Sequence, residues 1–418
     1  MNSKLITAVA GCVVAFGLNA AMPVIPQESV VFNQNSNSRL VTISYELQEA
    51  PAIVTVDILT NGVSIGEQNF TTIYGDVNKL VQPGENKLIF WQADKEWPGY
   101  KFRNGEVSVV VKGWDKGRPP NYLVVDLTVE QAEPRYYVSE KALPNGGLSN
   151  REEYQKNKLV MRRIPAAGVT WKMGSPTTEY GRATDGSENQ HNVTFTNDYF
   201  ISIYTPTWGQ EETAISRTQR DANVFPSSGS TNTANRVNYN NLRGATANWP
   251  TSGHTVEADS IIGKWRAKTG IDFDLPTSAQ WEYACRAGTG TAFNSGLDLT
   301  AANWSYPAMQ AYAWFGGNSG SKGHACGLKL PNDWGIYDMH GNLWELCLDW
   351  FGTSHGDAEI EPTGPDSGTQ RVIRGGSYSH GSEGIRSARL GGTSASEDVY
   401  SSGGAKTYRL CCPVQLVW

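Results

Sequence analysis

The sequence predicts two folded parts: an all-β sandwich of immunoglobulin-like type, followed by an α+β domain. Before residue 130 the chain carries short alternating stretches rich in Val, Ile, Thr and aromatic residues, which are typical of β-strands. After residue 159 a few helix-start signals stand among short strands and long stretches that combine glycine with aromatic residues. A chain of 418 residues is long enough for two or three domains.

Residues 1–21 read as a secretory signal peptide. Lys4 supplies a basic start, residues 5–18 are apolar, and Ala20 and Ala21 offer a cleavage site. The mature protein is therefore expected to be secreted, periplasmic or attached to a surface. The "VAGC" ending at Cys12 resembles a lipoprotein cleavage box, but only seven residues separate it from Lys4, so a lipoprotein is the second choice. No other apolar run is long enough to span a membrane.

The predicted sandwich covers residues 27–130. Turn signals such as "TNG" and "QPGEN" separate its strand patterns, and this spacing is typical of an immunoglobulin-like or fibronectin-like sandwich. It carries no catalytic constellation, so a spacer or adhesive module is expected. The polar stretch 131–158, with its Pro, Gly and Asn, is predicted to be a linker. The strand patterns are 39–47, 52–59, 87–93, 107–114 and 121–129.

The second domain is predicted over residues 159–418. "LVMRRIPAAGVTWKMGS" reads as two paired strands, and "HNVTFTNDYFISIYTPTWGQ" as two more strands before a helix. A third helical pattern covers 258–270, and Trp281, Ala284 and Cys285 share one helix face by their spacing. Two helix starts have the spacing of a capping box: Thr207 with Gln210, and Thr277 with Gln280.

Composition and motifs exclude several classes of function. The net charge is −6 and no basic run occurs, so nucleic acid is not an expected partner. The sequence has no nucleophile elbow, P-loop, dinucleotide fingerprint or zinc motif.

The cysteines are odd in number once the signal peptide is removed. At least one is then free or pairs with another chain. Cys411 and Cys412 are adjacent and seldom bond to each other, so one of them is a candidate to bridge to Cys285 or Cys347, and the sequence does not choose. The mature cysteines are Cys285, Cys326, Cys347, Cys411 and Cys412.

Four segments, in order, carry a family resemblance. They are "IPAAGVTWKMGS", "LPTSAQWEYACRAG", "PNDWGIYDMHGNLWELCLDWF" and "RVIRGGSYSHGSEGIRSAR". Together they resemble the formylglycine-generating enzyme, or sulfatase-modifying factor, family over about residues 159–417. The resemblance implies a C-type-lectin-like fold that is poor in regular structure and braced by calcium.

The resemblance also implies a structural calcium site in "YDMHGNLWE". Its ligands would be Asp338, the backbone carbonyls of Gly341 and Leu343, and Glu345. Calcium takes six to eight oxygen ligands, and a tight glycine turn lets carbonyls converge between two acids. Without the resemblance, the same residues read as a turn with two surface carboxylates. Asn303 is a weaker candidate for a second calcium site.

The same resemblance points to a missing reactive pair. Family oxidases use two cysteines, five residues apart, just after "GGSY", and bind copper through them. Here these positions fall on His380 and Ile385. Copper is therefore not expected, because Cu(I) selects thiolates and a lone histidine does not make a metal site. The loop that matches the family active site contains Ser377, Tyr378, His380, Ile385 and Arg386.

The arginines and tryptophans near this loop have two possible roles, in ligand binding or in the packing of the domain. Arg386 and Arg389 either bind an anionic or sugar ligand or tie loops together, and the second role is favoured for Arg374 in the "RGG" turn. Aromatic side chains of such loop-rich domains either stack on sugars or, more often, fill the core. The tryptophans in question are Trp304, Trp314 and Trp350.

Two classes of function remain. The first is a binding protein that holds an unknown protein, peptide or glycan on a lectin-like scaffold. The alternative is an oxidase that converts a sulfatase cysteine to formylglycine, or a divergent oxidase with another metal centre. The missing cysteine pair, the sandwich and the predicted export favour the binding protein, and fold alone does not fix function.

Overall fold

The computed structural model describes residues 21–103, 105–220, 223–225, 229–301, 306–353, 356–397 and 405–414. The predicted signal peptide up to residue 20, Asn303 and Trp304 lie outside these ranges. Within them, no helix has both the length and the apolar character needed to cross a membrane.

Two antiparallel sheets form the N-terminal part. One has the strand order β1-β2-β7-β5, and in the other β3 pairs with β4, β6 and β8. In β2 every second side chain is buried, as expected for a strand with one face on a core. The immunoglobulin-like type of the predicted sandwich stays a prediction. The elements are β1 Val31–Gln34, β2 Val41–Leu47, β3 Ala52–Thr60, β4 Val63–Ser64, β5 Ile73–Gly75, β6 Leu80–Val81, β7 Gly84–Trp91, helix α1 Ala93–Glu96 and β8 Val107–Trp114.

The C-terminal part combines three sheets with four α-helices among the described residues. The sheets have the orders β10-β9-β11-β14-β20, β12-β13-β16 and β18-β17-β15-β19. This mixture of strands and helices is the predicted α+β class. The elements are β9 Tyr122–Asp126, β10 Arg135–Tyr137, β11 Lys158–Ile164, β12 Thr170–Met173, β13 His191–Thr194, β14 Tyr199–Ser202, α2 Trp208–Ile215, α3 Tyr239–Arg243, α4 Ile261–Thr269, α5 Ser278–Arg286, β15 Trp344–Trp350, β16 Ala358–Ile360, β17 Arg371–Arg374, β18 Leu390–Thr393, β19 Lys406–Tyr408 and β20 Cys411–Pro413.

The strand predicted at 121–129 belongs to a different sheet from the one expected. It forms β9, which pairs with β10 and β11 and not with the strands of the N-terminal sheets. The polar stretch 131–158, predicted as a linker, also contributes structure, because β10 and a π-helical turn at Glu153–Asn157 lie within it. An alternating pattern predicts that a segment is a strand, but which strand it pairs with depends on contacts with residues far away in the sequence.

The two strands expected to pair around "PAAG" are present but pair elsewhere. β11 lies between β9 and β14, and β12 pairs with β13. The turn between them therefore passes the chain from one sheet to another. A short turn between two strand patterns is typical of a hairpin, but it does not require one.

The predicted helix starts are confirmed. Thr207 and Thr277 each accept a hydrogen bond from the backbone of the glutamine three residues on, and each glutamine side chain accepts from the threonine backbone in return. Helix α5 then places Trp281, Ala284 and Cys285 in the core, where all three are fully buried. Because α5 lies beside β15 and β17, it supports the loop that follows β17.

Candidate functional site

The loop that the sequence resemblance assigns to the family active site joins β17 to β18 and begins with Gly375 and Gly376. Both glycines have positive φ values, +85° and +72°. A Cβ atom on Gly376 would overlap the carbonyl oxygen of Gly384, and one on Gly375 would crowd the ring of Trp281. Glycine is thus required here for both backbone conformation and close approach.

Arg374 anchors the start of this loop. Its side chain is fully buried and donates hydrogen bonds to the Ser278 hydroxyl at 2.6 and 2.9 Å and to the Ala388 carbonyl at 2.9 Å. It also forms an ion pair with Glu282 at 3.1 Å. The interpretation of Arg374 as a residue that ties loops together agrees with these contacts.

Arg386 anchors the end of the loop and is not available to a ligand. Its side chain is fully buried, and it donates to Glu179 at 2.6 Å and to Glu188 at 2.8 and 3.1 Å. Of the two interpretations of Arg386, the one in which it ties loops together agrees with these contacts. Sequence reasoning missed Glu179 and Glu188, because nothing in their spacing links them to a loop some 200 residues later. Arg389 differs, since its side chain remains 36% exposed and lies 3.7 Å from Glu188.

Ser377 and His380 form a hydrogen-bonded pair inside the loop. The Ser377 hydroxyl lies 2.8 Å from Nδ1 of His380 and 3.0 Å from the hydroxyl of Ser379. Burial, and then the positive charge of Arg389, lower the pKa of His380, so this imidazole favours its neutral form. Its ring meets Trp344 edge to face at 5.1 Å between centroids.

Ile385 has a structural position. Its side chain is fully buried in an apolar cluster with Phe293, Met309 and Phe315. Its backbone carbonyl lies 2.6 Å from Nδ1 of His340. The position that the resemblance assigns to the second cysteine of the pair is thus a core residue in this chain.

None of the cysteines belongs to this loop, although Cys285 lies beside it: its sulfur is 3.7 Å from Nε2 of His340, whose Nδ1 meets the Ile385 carbonyl. Cys285, Cys326, Cys347, Cys411 and Cys412 are all buried and free of disulfide bonds, so the possible bridge from Cys411 or Cys412 is not formed here. Burial raises the pKa of Cys285 to about 12, and it also raises the pKa of each of the other four thiols. Such thiols are protonated at neutral pH and are poor nucleophiles and poor metal ligands.

The calcium candidates lie on the turn that leads into β15, and Glu345 is the second residue of that strand. Asp338 is 5% exposed, and its Oδ2 accepts a hydrogen bond from the Gly327 backbone at 2.7 Å. Glu345 is 1% exposed; it accepts from Trp281 Nε1 at 2.7 Å and from Arg409 at 2.6 and 3.0 Å. These two acids are buried, so the alternative reading as surface carboxylates is wrong. Burial raises the pKa of Asp338 to about 6, and the nearby charge of Glu345 adds to this.

The two carbonyls of this turn are compatible with a cation. Gly341 and Leu343 are buried, and among the described residues no group donates a hydrogen bond to either carbonyl oxygen. Gly341 has φ +75°, and a Cβ there would overlap the carbonyl oxygen of Trp314, so only glycine permits this turn. Buried carbonyls normally have a partner, and a hard cation such as Ca²⁺ is one that suits oxygen atoms.

The tryptophans near the loop have different environments. Trp350 lies under the guanidinium of Arg371, which is 3.3 Å from the ring centroid, so it packs inside the domain. Trp314 stacks on the imidazole of His324 with 3.7 Å between centroids, and the Lys329 ammonium lies 3.7 Å from the Trp314 ring. Nothing in the sequence predicted that Trp314, His324 and Lys329 would stack together.

A match to a family model defines the class of protein. A family model, the sulfatase-modifying factor enzyme 1-like domain, matches residues 153–403, which is more than half of the chain. The chain therefore belongs to this family, and the predicted resemblance is confirmed.

Particular relatives match a shorter part. The chain is 34% identical over 131 residues to a formylglycine-generating enzyme of Streptomyces coelicolor, covering 28% of this chain and 38% of the relative. It is 40% identical over 116 residues to the formylglycine-generating enzyme of Bos taurus, and this match covers 25% of this chain and 29% of the relative. The matches thus span only about a third of these curated relatives. A solved structure, the Treponema denticola variable protein 1, is 25% identical with a TM-score of 0.45, covering 61% of this chain and 95% of that one.

Proposed function

We propose that this chain is an exported binding protein that uses the family scaffold without the family's thiol chemistry. The observation that carries the proposal is Ile385, which occupies the position of an expected reactive cysteine and is fully buried in an apolar cluster. The other expected position is His380, and every described cysteine lies outside the loop, buried and with a raised thiol pKa. Copper–thiolate chemistry lacks its ligands in this loop.

The loop suits recognition because its frame is rigid while its tip reaches solvent. Arg374 and Arg386 fix its two ends through buried ion pairs. Between them, Ser379 is exposed, and Tyr378 and His380 are partly exposed. Binding to a preorganised surface loses less conformational entropy than binding to a flexible one. The ligand class is a protein, a peptide or a glycan, read by Tyr378, Ser379 and His380.

A structural calcium ion is part of this proposal. Asp338, Glu345 and the carbonyls of Gly341 and Leu343 would hold it, with water completing the coordination. The buried charge of Arg409 already offsets Glu345, so the ion would chiefly neutralise Asp338 and satisfy the two carbonyls. The ion would brace the turn on a C-type-lectin-like scaffold and would take no part in a reaction.

An array of glycans and peptides tests the binding role. The mature chain is expected to bind a restricted set of ligands saturably, and Tyr378→Ala should abolish that binding. Tyr180→Ala is the matched control, because Tyr180 is a 41% exposed tyrosine of the same domain outside the loop. Binding that Tyr378→Ala and Tyr180→Ala leave equally intact would place the binding surface elsewhere and contradict the proposal.

A second assay addresses the oxidase alternative directly. Copper-loaded protein is incubated with a peptide that bears the sulfatase core Cys-x-Pro-x-Arg, and the product mass is measured. We expect the peptide cysteine to remain unchanged. Aldehyde formation by the wild type would show that the oxidase chemistry is retained and would overturn the proposal.

A further inference from the structure

A cleft in the N-terminal part lies between two strand edges. β1 pairs only with β2 and β8 only with β3 among the described strands, and no hydrogen bond joins β1 to β8 there. The space between them is a cavity of about 630 Å³, and Phe32 and Phe102 form an edge-to-face pair in its lining. The lining also includes Arg39, Lys101 and Arg103.

Arg39 is the unusual residue of this cleft. Its Nε and Nη1 atoms are buried, yet neither has a hydrogen-bond partner. Guanidinium nitrogens removed from water without a partner are costly, so such groups normally meet an acceptor. The backbone of Arg39 has φ +60°, a conformation that a non-glycine residue seldom adopts, and its amide donates to the Asn35 carbonyl at 3.0 Å. The turn between β1 and β2 thus holds this side chain at the cleft in spite of backbone strain.

The charge of the lining favours an anion. It includes three cations, Arg39, Lys101 and Arg103, and no acid, although the whole chain has a net charge of −6. Glu106 lies just outside the lining and accepts from the Arg103 amide at 3.0 Å, so it offsets part of the charge of Arg103. Neither Arg39 nor Lys101 forms an ion pair with an acid among the described residues, which leaves their charges for a ligand.

We propose that this cleft binds a ligand through an oxyanion, a carboxylate, sulfate or phosphate group, that accepts hydrogen bonds from Arg39. The apolar part of the ligand packs against Phe32 and Phe102, since an aromatic pair next to a cation suits a molecule with one charged end. This site is separate from the loop after β17, and it gives the N-terminal part a recognition role of its own instead of that of a spacer.

Calorimetric titration of the mature full chain with small anions tests this site. The probes are hexanoate, inorganic sulfate and inorganic phosphate, with hexanamide as the uncharged analogue of hexanoate. At least one anion is expected to bind saturably, and Arg39→Gln should weaken it about tenfold or more, because a charged hydrogen bond is lost. Arg118→Gln is the matched control, since Arg118 is an exposed arginine of the same part of the chain outside the cleft.

The pattern of results decides between outcomes. Binding of hexanoate alone would identify a carboxylate ligand, and binding of sulfate or phosphate alone would identify a sulfated or phosphorylated one. No saturable binding of any anion, equal binding of hexanamide and hexanoate, or equal effects of Arg39→Gln and Arg118→Gln would each overturn the proposal. Should Arg39→Gln fail to fold, Arg39→Asn replaces it, because asparagine tolerates the positive φ.

Discussion

Arg386 and Glu188 form a two-pronged ion pair in which neither side chain has exposed surface: Nη1 donates to Oε2 at 2.8 Å and Nη2 to Oε1 at 3.1 Å. The pair joins the loop after β17 to a segment that precedes β13. Two parallel charged hydrogen bonds fix the orientation of both partners as well as their distance. The loop is therefore held by a contact that spans about half of the chain.

Loss of the Arg386 guanidinium should strongly destabilise the C-terminal domain. Arg386→Met leaves Glu179 and Glu188 buried without their cation, and removal of one member of a buried pair costs about 3–5 kcal/mol. The free energy of unfolding in urea, followed by tryptophan fluorescence, measures this. Arg389→Met is the control, because its half-exposed side chain lies 3.7 Å from the same Glu188 and should cost less than about 1 kcal/mol. An equal decrease in the free energy of unfolding for both variants would contradict the role of Arg386 as the cation that neutralises these buried glutamates.

The second glycine of "RGG" should tolerate no side chain. Gly376→Ala combines a positive φ with overlap against the Gly384 carbonyl. Gly288→Ala has a similar φ of +94° but no atom within 4 Å of the added carbon, so it isolates the backbone strain of about 1 kcal/mol. Thermal melting should show a clearly larger loss for Gly376→Ala. Similar melting temperatures for the two variants would show that the loop can move away from the added methyl group.

A buried carboxyl group should make stability depend on pH. Burial raises the pKa of Asp349 to about 6, while hydrogen bonding from Ser278 and the charge of Arg374 oppose the rise. In the unfolded chain this carboxyl group loses its proton near the ordinary pKa of about 3.9, whereas in the folded protein it keeps the proton up to about pH 6. Its contribution to the free energy of unfolding therefore falls as the pH rises from about 3.9 to about 6. From pH 4.5 to 7 the stability of the wild type should fall by about 2 kcal/mol relative to Asp349→Asn.

Denaturant unfolding of the two proteins at both pH values measures that difference. In the wild type the Ser278 backbone amide donates to Asp349 Oδ2 at 2.7 Å. The side-chain oxygen of asparagine can accept the same hydrogen bond, so the variant removes the titrating group and keeps this contact. Parallel pH profiles for wild type and variant would rule out the raised pKa.

Calcium should stabilise the protein, and a chelator should remove that effect. Binding to the folded state alone adds about 2.7 kcal/mol at a free calcium concentration 100 times the dissociation constant. The melting temperature should therefore rise with CaCl₂ and fall with EGTA, and Asp338→Ala should abolish the response. Asp366→Ala, which removes an exposed carboxylate, is the control. A melting temperature that does not change with calcium would contradict the proposed site.

Local patterns in the sequence determined local structure and family. The capping boxes at Thr207 and Thr277 predicted two helix starts correctly, because the bonds involved lie within one turn. The four ordered motifs identified the family, and the count from "GGSY" located His380 and Ile385 in the loop after β17. These inferences use only residue types and short separations.

Tertiary structure alone decided the rest, because it depends on contacts between distant residues. The assignment of β9 to the C-terminal sheet, the glutamates that hold Arg386, and the buried state of Asp338 and Glu345 have no signature in spacing. The sequence likewise does not indicate that two nitrogens of Arg39 are buried without a partner, because that depends on the cleft between β1 and β8. A sequence states which groups are present, whereas burial and pairing, which set their energies, arise only on folding.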